Sequence, residues 1–290
     1  MPFITVHYFL DFLEWLDGKY GTQIIKKIEA AFQKAAGPDV IARHPMAYYE
    51  AEECDVLLAT AVWSGYYNIS IFPISEVWQA SGHVARFPAG EQDHLARLYT
   101  RVLQKILYRR GKGRTLLSKS HLISCMGIWQ RTFKDPIFIN IIRHPKDVFP
   151  SWIALCEAGE RMIADWALPR AGAVAAHLDF WKEFYAQEQE FFLPAGEKPD
   201  RKIVEFRPFI KNQLETMREL YAYFKLPFEG TPFCERLTAD AAGQSSYKKD
   251  NKYTNPTLDE LSLDESKLDE HFGEYITAMG IAKPSPAKKN

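Results

Sequence analysis

Apolar and polar positions along this chain repeat at two periods, and the longer period is clearest between residues 95 and 107. Leu95, Leu98, Tyr99, Val102, Leu103, Ile106 and Leu107 fall at i, i+3, i+4, i+7, i+8, i+11 and i+12, one continuous stripe on a helix. Arg109 and Arg110 suit the negative end of that helix, and Gly111 suits the position just beyond it. Upstream, residues 8 to 35 read as helical, with a turn near Gly18 and Gly21 and a stop at Ala36-Gly37-Pro38. Residues 50 to 63 fit either a helix or a short strand. Ser64 to Gly90, rich in Gly, Pro and aromatic residues, reads as irregular.

The shorter period marks strands. Thr115 to Ser118 is a short apolar strand, and Ile137 to Ile142 is a run of β-branched and aromatic residues broken only by Asn140. A run apolar on both faces predicts a central parallel strand covered by helices. Helical stretches follow at about Lys146 to Cys156 and Ala173 to Phe191, then a strand near Lys202 to Phe206. A helix from about Ile210 to Phe224 carries the stripe Leu214, Met217, Leu220, Tyr221 and Phe224. Strands alternating with helices predict an α/β fold, a three-layer parallel sheet flanked by helices. The chain reads as a single domain over residues 1–281 with a flexible polar tail over 282–290.

Composition narrows the picture. The 290 residues carry 36 basic and 37 acidic side chains, a formal charge of −1, which argues against broad binding to nucleic acid. A small basic pocket stays compatible with it. With 47% hydrophobic residues there is ample material for a core, which excludes the disordered and fibrous classes. Cys54, Cys125, Cys156 and Cys234 are too widely spaced for a disulfide framework and fit a reducing compartment. No apolar run reaches the roughly 18 residues of a membrane span, and the start lacks the pattern of a signal peptide. The expectation is a cytoplasmic protein with no membrane segment in this chain. His121-x-x-x-Cys125 is a single pair, so no metal site is expected.

In open parallel sheets, ligands bind beyond the carboxyl ends of the strands. Two strand ends here carry candidate chemistry. Lys119-Ser120-His121-Leu122 follows the strand at Thr115, and Arg143-His144-Pro145-Lys146-Asp147 follows the run ending at Ile142. Arg143 leaves the strand with a guanidinium whose fork suits phosphate oxygens, though it suits a nearby carboxylate equally. Pro145 fits an early helical position, so a helix should begin there with free first-turn amides and a positive dipole end. Ser151, eight residues after Arg143, can add a hydroxyl from the same helix. A histidine after a strand is more often structural than catalytic, and the cluster Lys248, Lys249 and Lys252 is more often a solvated face. Tyr48, Tyr49, Trp63, Tyr66 and Tyr67 fit an acceptor pocket, though aromatic clusters are more often core.

The strand-Arg143-to-Ser151-helix arrangement resembles the 3′-phosphate-binding motif of sulfotransferases, which use 3′-phosphoadenosine 5′-phosphosulfate (PAPS). Lys119-Ser120-His121 resembles the strand end on which cytosolic members carry a catalytic histidine, and the separation of 22 residues from His121 to Arg143 is similar to the family's. Val204-Glu205-Phe206-Arg207, with the helix ending in Leu226-Pro227-Phe228, looks like the family's late strand and helix. Lys248 to Tyr253 looks like the C-terminal segment that closes over the nucleotide. The resemblance covers roughly residues 40 to 281, weakly before residue 95. It implies the P-loop-NTPase-like sulfotransferase fold, with PAPS as sulfuryl donor and a small-molecule or glycan hydroxyl as acceptor. By resemblance, Arg143 and Ser151 bind the 3′-phosphate, and Lys248, Lys249 and Lys252 add nucleotide contacts. His121 would act as the base and Lys119 would stabilise developing charge.

Two features depart from the family. The strand, glycine loop and helix that cradle the 5′-phosphosulfate are not found: Gly111-Lys112-Gly113-Arg114-Thr115 has the composition but follows a helix and precedes a strand. The expectation is a chain that begins inside a sulfotransferase, without that first strand and loop. An anchor lost with them would place the protein in the secretory lumen, and the open sheet edge would favour a homo-oligomer. The second departure is Arg207-Pro208, where the family often has an acidic residue. The alternative is an inactive sulfotransferase-like module that binds a nucleotide or a protein.

Overall fold

The long apolar stripe folds as its spacing requires. In the computed structural model, which describes residues 3–5, 11–43, 79, 83–111, 113–121, 123–163, 170–193, 198–240 and 254–282, Leu95, Tyr99, Leu103 and Ile106 are all buried. The chain packs as two compact units, Met1–Ile128 with Leu155–Ala176, and Trp129–Ala154 with His177–Asn290.

The first unit opens on β1 (Phe3–Thr5), then α1 (Asp11–Tyr20), α2 (Ile24–Arg43) and the striped helix α3 (Ala89–Arg110). Asp17, in the last turn of α1, accepts from the amides of Ile24 at 2.6 Å and Ile25 at 3.0 Å and from the Thr22 hydroxyl. It therefore caps α2 from outside, and these donors hold its carboxyl below the usual carboxylate range. Gly21 makes the turn with φ 63°, a conformation glycine adopts without strain. The expected stop is a break within α2, where Gly37 leaves helical geometry at φ 77° just before Pro38. After α3, β2 (Thr115–Leu117) runs parallel to β1 with Phe3 opposite Thr115. The sequence pattern did not mark β1, because three residues are too few for a period of two to register.

The second unit is built on β3 (Phe138–Ile142), which pairs in parallel with β4 (Arg201–Glu205) from Phe138↔Arg201 to Ile142↔Glu205. Before β3 comes the short α4 (Met126–Thr132). After it come α5 (Pro145–Ile163), which belongs to this unit up to Ala154, and α6 (Arg170–Phe192), which belongs to it from His177. Beyond β4 lie α7 (Phe206–Lys211), α8 (Gln213–Tyr223), a helical stretch over 232–240 and α9 (Glu265–Ala278). The core is aromatic. Trp152 on α5 meets Trp181 on α6 edge-on at 5.6 Å, Phe149 packs on Phe272 of α9 at 6.3 Å, and Tyr185 stacks on Tyr275 at 3.9 Å. The buried Tyr275 hydroxyl donates to the buried Glu188 carboxylate at 2.7 Å. Burial first, then this carboxylate, pushes the pKa of Tyr275 far up.

Two expectations about this unit are corrected. Residues 137–142 are not covered on both faces: Phe138 and Ile142 are buried, but Ile139 is 41% and Ile141 53% exposed. Strand alternation sends Phe138, Asn140 and Ile142 to one side, and an all-apolar run cannot reveal which side is covered. The expected helix 210–224 is interrupted. The Asn212 amide turns back to the carbonyls of Pro208 and Phe209, closing α7 before α8 begins. Among the described residues the strands hydrogen-bond as two two-stranded parallel sheets, so the parallel α/β character is observed in a smaller sheet than expected.

Candidate functional site

The register Ile142↔Glu205 brings the carboxyl ends of β3 and β4 level, so the residues that follow each strand emerge side by side. Arg143 follows β3, and Phe206-Arg207 follows β4. The Arg143 guanidinium lies over the Phe206 ring, 5.0 Å from its centroid. Arg207 donates twice to one oxygen of Asp147, from Nε at 3.0 Å and from Nη2 at 2.6 Å. Arg143 approaches the same Oδ2 through Nε at 4.0 Å, beyond hydrogen-bond reach. The Asp147 side chain is 19% exposed, against 38% for Arg143 and 35% for Arg207. The carboxylate is thus sunk between two guanidiniums that both reach water.

Helix α5 begins at Pro145, as the proline predicts, and continues through Pro150 to Ile163. Its first-turn amides are not bare, which corrects the sequence expectation. Pro145 has no N–H, the Lys146 amide donates to Nδ1 of the buried His144 at 3.2 Å, and the Asp147 and Val148 amides donate to the His144 carbonyl at 2.9 and 3.2 Å. His144 thus caps the helix with ring and backbone, and Nδ1 must be the unprotonated nitrogen. Burial lowers the pKa of His144, outweighing the opposing pull of Asp147 and Asp269. The dipole of α5 remains, but hydrogen bonds to an anion must come from side chains. Lys146 pairs with Glu265 at the start of α9. Ser151, half-buried, lies one turn beyond Asp147 on the same helical face. Sequence reasoning missed His144 and Arg207. A polar residue just after a strand was the available signal for Arg207, and the residue before a helix-starting proline was the signal for His144.

Lys119 and His121 belong to the first unit, in the connection after β2. Tyr99 on α3 shares a hydrogen bond of 3.2 Å with Ser118 Oγ and so fixes the start of this connection. Lys119 is exposed, while His121 is half-buried with its Nδ1 shut off from solvent. The glycine-containing segment around Gly113 (φ 74°) is a turn from α3 into β2, the helix-to-strand order expected of a connector. Lys248, Lys249, Lys252 and the aromatic group Tyr48, Tyr49, Trp63, Tyr66 and Tyr67 lie outside the described residues, as do residues 283–290 of the expected tail.

The model of the sulfotransferase family matches residues 11–230, three quarters of the chain. The chain belongs to the sulfotransferase family. Its fold is similar to the crystal structure of a sulfotransferase from Mycobacterium tuberculosis, with a TM-score of 0.59 at 18% identity, covering 87% of this chain and 62% of that one. The chain thus spans about six tenths of that structure's length. No curated protein matches the sequence. No described helix of the chain is long and apolar enough to cross a membrane. Its donor set at the start of α5 suits a phosphate. Arg143, Lys146 and Arg207 supply its cationic donors there, facing the carboxylates of Asp147 and Glu265, with Asp269 also acting on His144.

Proposed function

We propose that this sulfotransferase takes its sulfuryl group from PAPS and passes it to a hydroxyl of a small molecule or glycan. Residues 1–281 would work as one sulfotransferase domain, a reading supported by a family match that runs across both units. The observation that carries the donor assignment is Arg143, half-exposed at the end of β3 and braced on Phe206 beside the start of α5. Its fork and the Ser151 hydroxyl would hold the 3′-phosphate of the nucleotide. Bound PAPS supplies a sulfuryl group on a phosphate leaving group. The chain's own work is to position it and to handle one proton and the developing charge.

His121 is the proposed base, taking the acceptor hydroxyl's proton on its imidazole. Lys119 would stabilise charge on the transferring group, and Lys248, Lys249 and Lys252 would add contacts to the nucleotide. Two tests apply. Titration with 3′,5′-diphosphoadenosine should show binding to the native protein and a loss on the order of 100-fold for Arg143→Ala, the value of two charge-assisted hydrogen bonds. Equal affinity for both proteins would remove Arg143 from the phosphate. For the proposed base, His121→Ala should abolish turnover while leaving that affinity intact, and an unchanged rate would exclude it.

A further inference from the structure

The phosphate reading leaves a physical difficulty at its centre. Asp147 sits in the first turn of the helix that is to receive an anion, one turn from Arg143, where i,i+4 ion pairs form readily. An Arg143–Asp147 pair would occupy the guanidinium and place a bare negative charge beside the ligand. The structure shows Arg143 only in a long ion pair with Asp147, whose hydrogen bonds come from Arg207 instead. Arg207, 60 residues further along, claims Asp147 Oδ2 with two hydrogen bonds, and Arg143 stays 4.0 Å from that oxygen with its Cζ over the Phe206 ring. The amides that could otherwise receive the anion are already engaged by His144. Side-chain donors must therefore do the binding, and the state of Arg143 decides it.

We propose that Arg207 is a positioning residue for nucleotide binding: it holds the Asp147 carboxylate and thereby keeps Arg143 available to the phosphate. The Phe206-Arg207 dipeptide serves both parts, its ring as the rest for Arg143 and its guanidinium as the clamp on Asp147. This inference rests on the phosphate reading given above. It adds a specific dependence, because the effect of Arg207 should run through Asp147 and not through the ligand.

The test is a double-mutant cycle read by calorimetric titration of the full chain with 3′,5′-diphosphoadenosine. Removing the clamp in Arg207→Met lets Asp147 capture Arg143, and affinity should fall ~10-fold, within the range of couplings between contacting residues. Adding Asp147→Asn to that variant removes the captor, and most of the lost affinity should return. A loss that Asp147→Asn does not restore would overturn the positioning role in favour of direct contact. Unchanged affinity in Arg207→Met would overturn it as well. Thermal unfolding of each variant checks that it is folded, and Arg207→Lys, which keeps the charge but not the fork, supplies a second reading. It should lose less than Arg207→Met and be rescued in the same way; a loss as large as that of Arg207→Met would overturn the clamp. Failure of the underlying reading is distinguishable, because then Arg143→Ala would bind as tightly as the native chain whatever Arg207 does.

Discussion

The two strand ends that carry candidate chemistry are built differently. After β3 the chain turns at once into a helix, and within five residues it has a helix start, a capping histidine and two ion-pair partners. After β2 it runs through an irregular connection in which Lys119 is exposed and His121 half-buried, with a hydroxyl contact from Tyr99 at its beginning. In the first arrangement Asp147 is held by Arg207 and Lys146 by Glu265, side chains from other elements, which suits a ligand that binds in one pose. The second sits on a connecting segment, the kind of place where chemistry that meets differently shaped partners is commonly carried. On the proposed reading, phosphate recognition and group transfer would draw on different physical resources in the same chain.

Mutations can test this contrast. The largest effect is expected from Phe149→Ala, which removes the buried ring that ties the first turns of α5 to Phe272. Denaturant unfolding should show a loss of about 3–5 kcal/mol, the usual cost of a large cavity, and nucleotide affinity should fall with it. A smaller effect comes from acid. His177, 1% exposed, accepts the Trp152 indole N–H at 3.0 Å, and burial pushes its pKa down to about 3. The unfolded chain binds this proton near pH 6.5 and the folded chain does not. Its contribution to stability is therefore complete above that pH and is lost as pH falls from about 6.5 towards 3, by roughly 1.4 kcal/mol per pH unit. Unfolding at pH 7.5 and pH 5 should show a smaller difference in His177→Gln than in the native chain. The smallest effect belongs to the other strand end, where Tyr99→Phe should cost about 1 kcal/mol, one net hydrogen bond. A loss as large as that of Phe149→Ala would show the β2 connection to be held as firmly as α5.

Much of the fold was legible where the signal is local. The stripe from Leu95 to Leu107, the turn at Gly21, the break at Gly37-Pro38 and the helix start at Pro145 depend on neighbours within a few positions. Arg143 and Ser151 were legible for the same reason, as a guanidinium and a hydroxyl flanking a helix start. What was hidden depends on distant partners. Nothing near Arg207 announces a bond to Asp147, and nothing near Glu188 announces the Tyr275 hydroxyl 87 residues away. The open side of β3 was hidden too, because Ile139 and Ile141 carry the same apolar letters as their buried neighbours.

One feature of α5 has an optical consequence. Trp152 follows Ser151 directly, and its indole is pinned in the aromatic core by His177 and Trp181. A nucleotide seated at the head of the helix would tug on a chromophore two turns away whose surroundings are otherwise fixed. If the proposed nucleotide binds there, intrinsic emission should change with occupancy, and Trp152→Phe, which removes one of the seven tryptophans, should abolish that change.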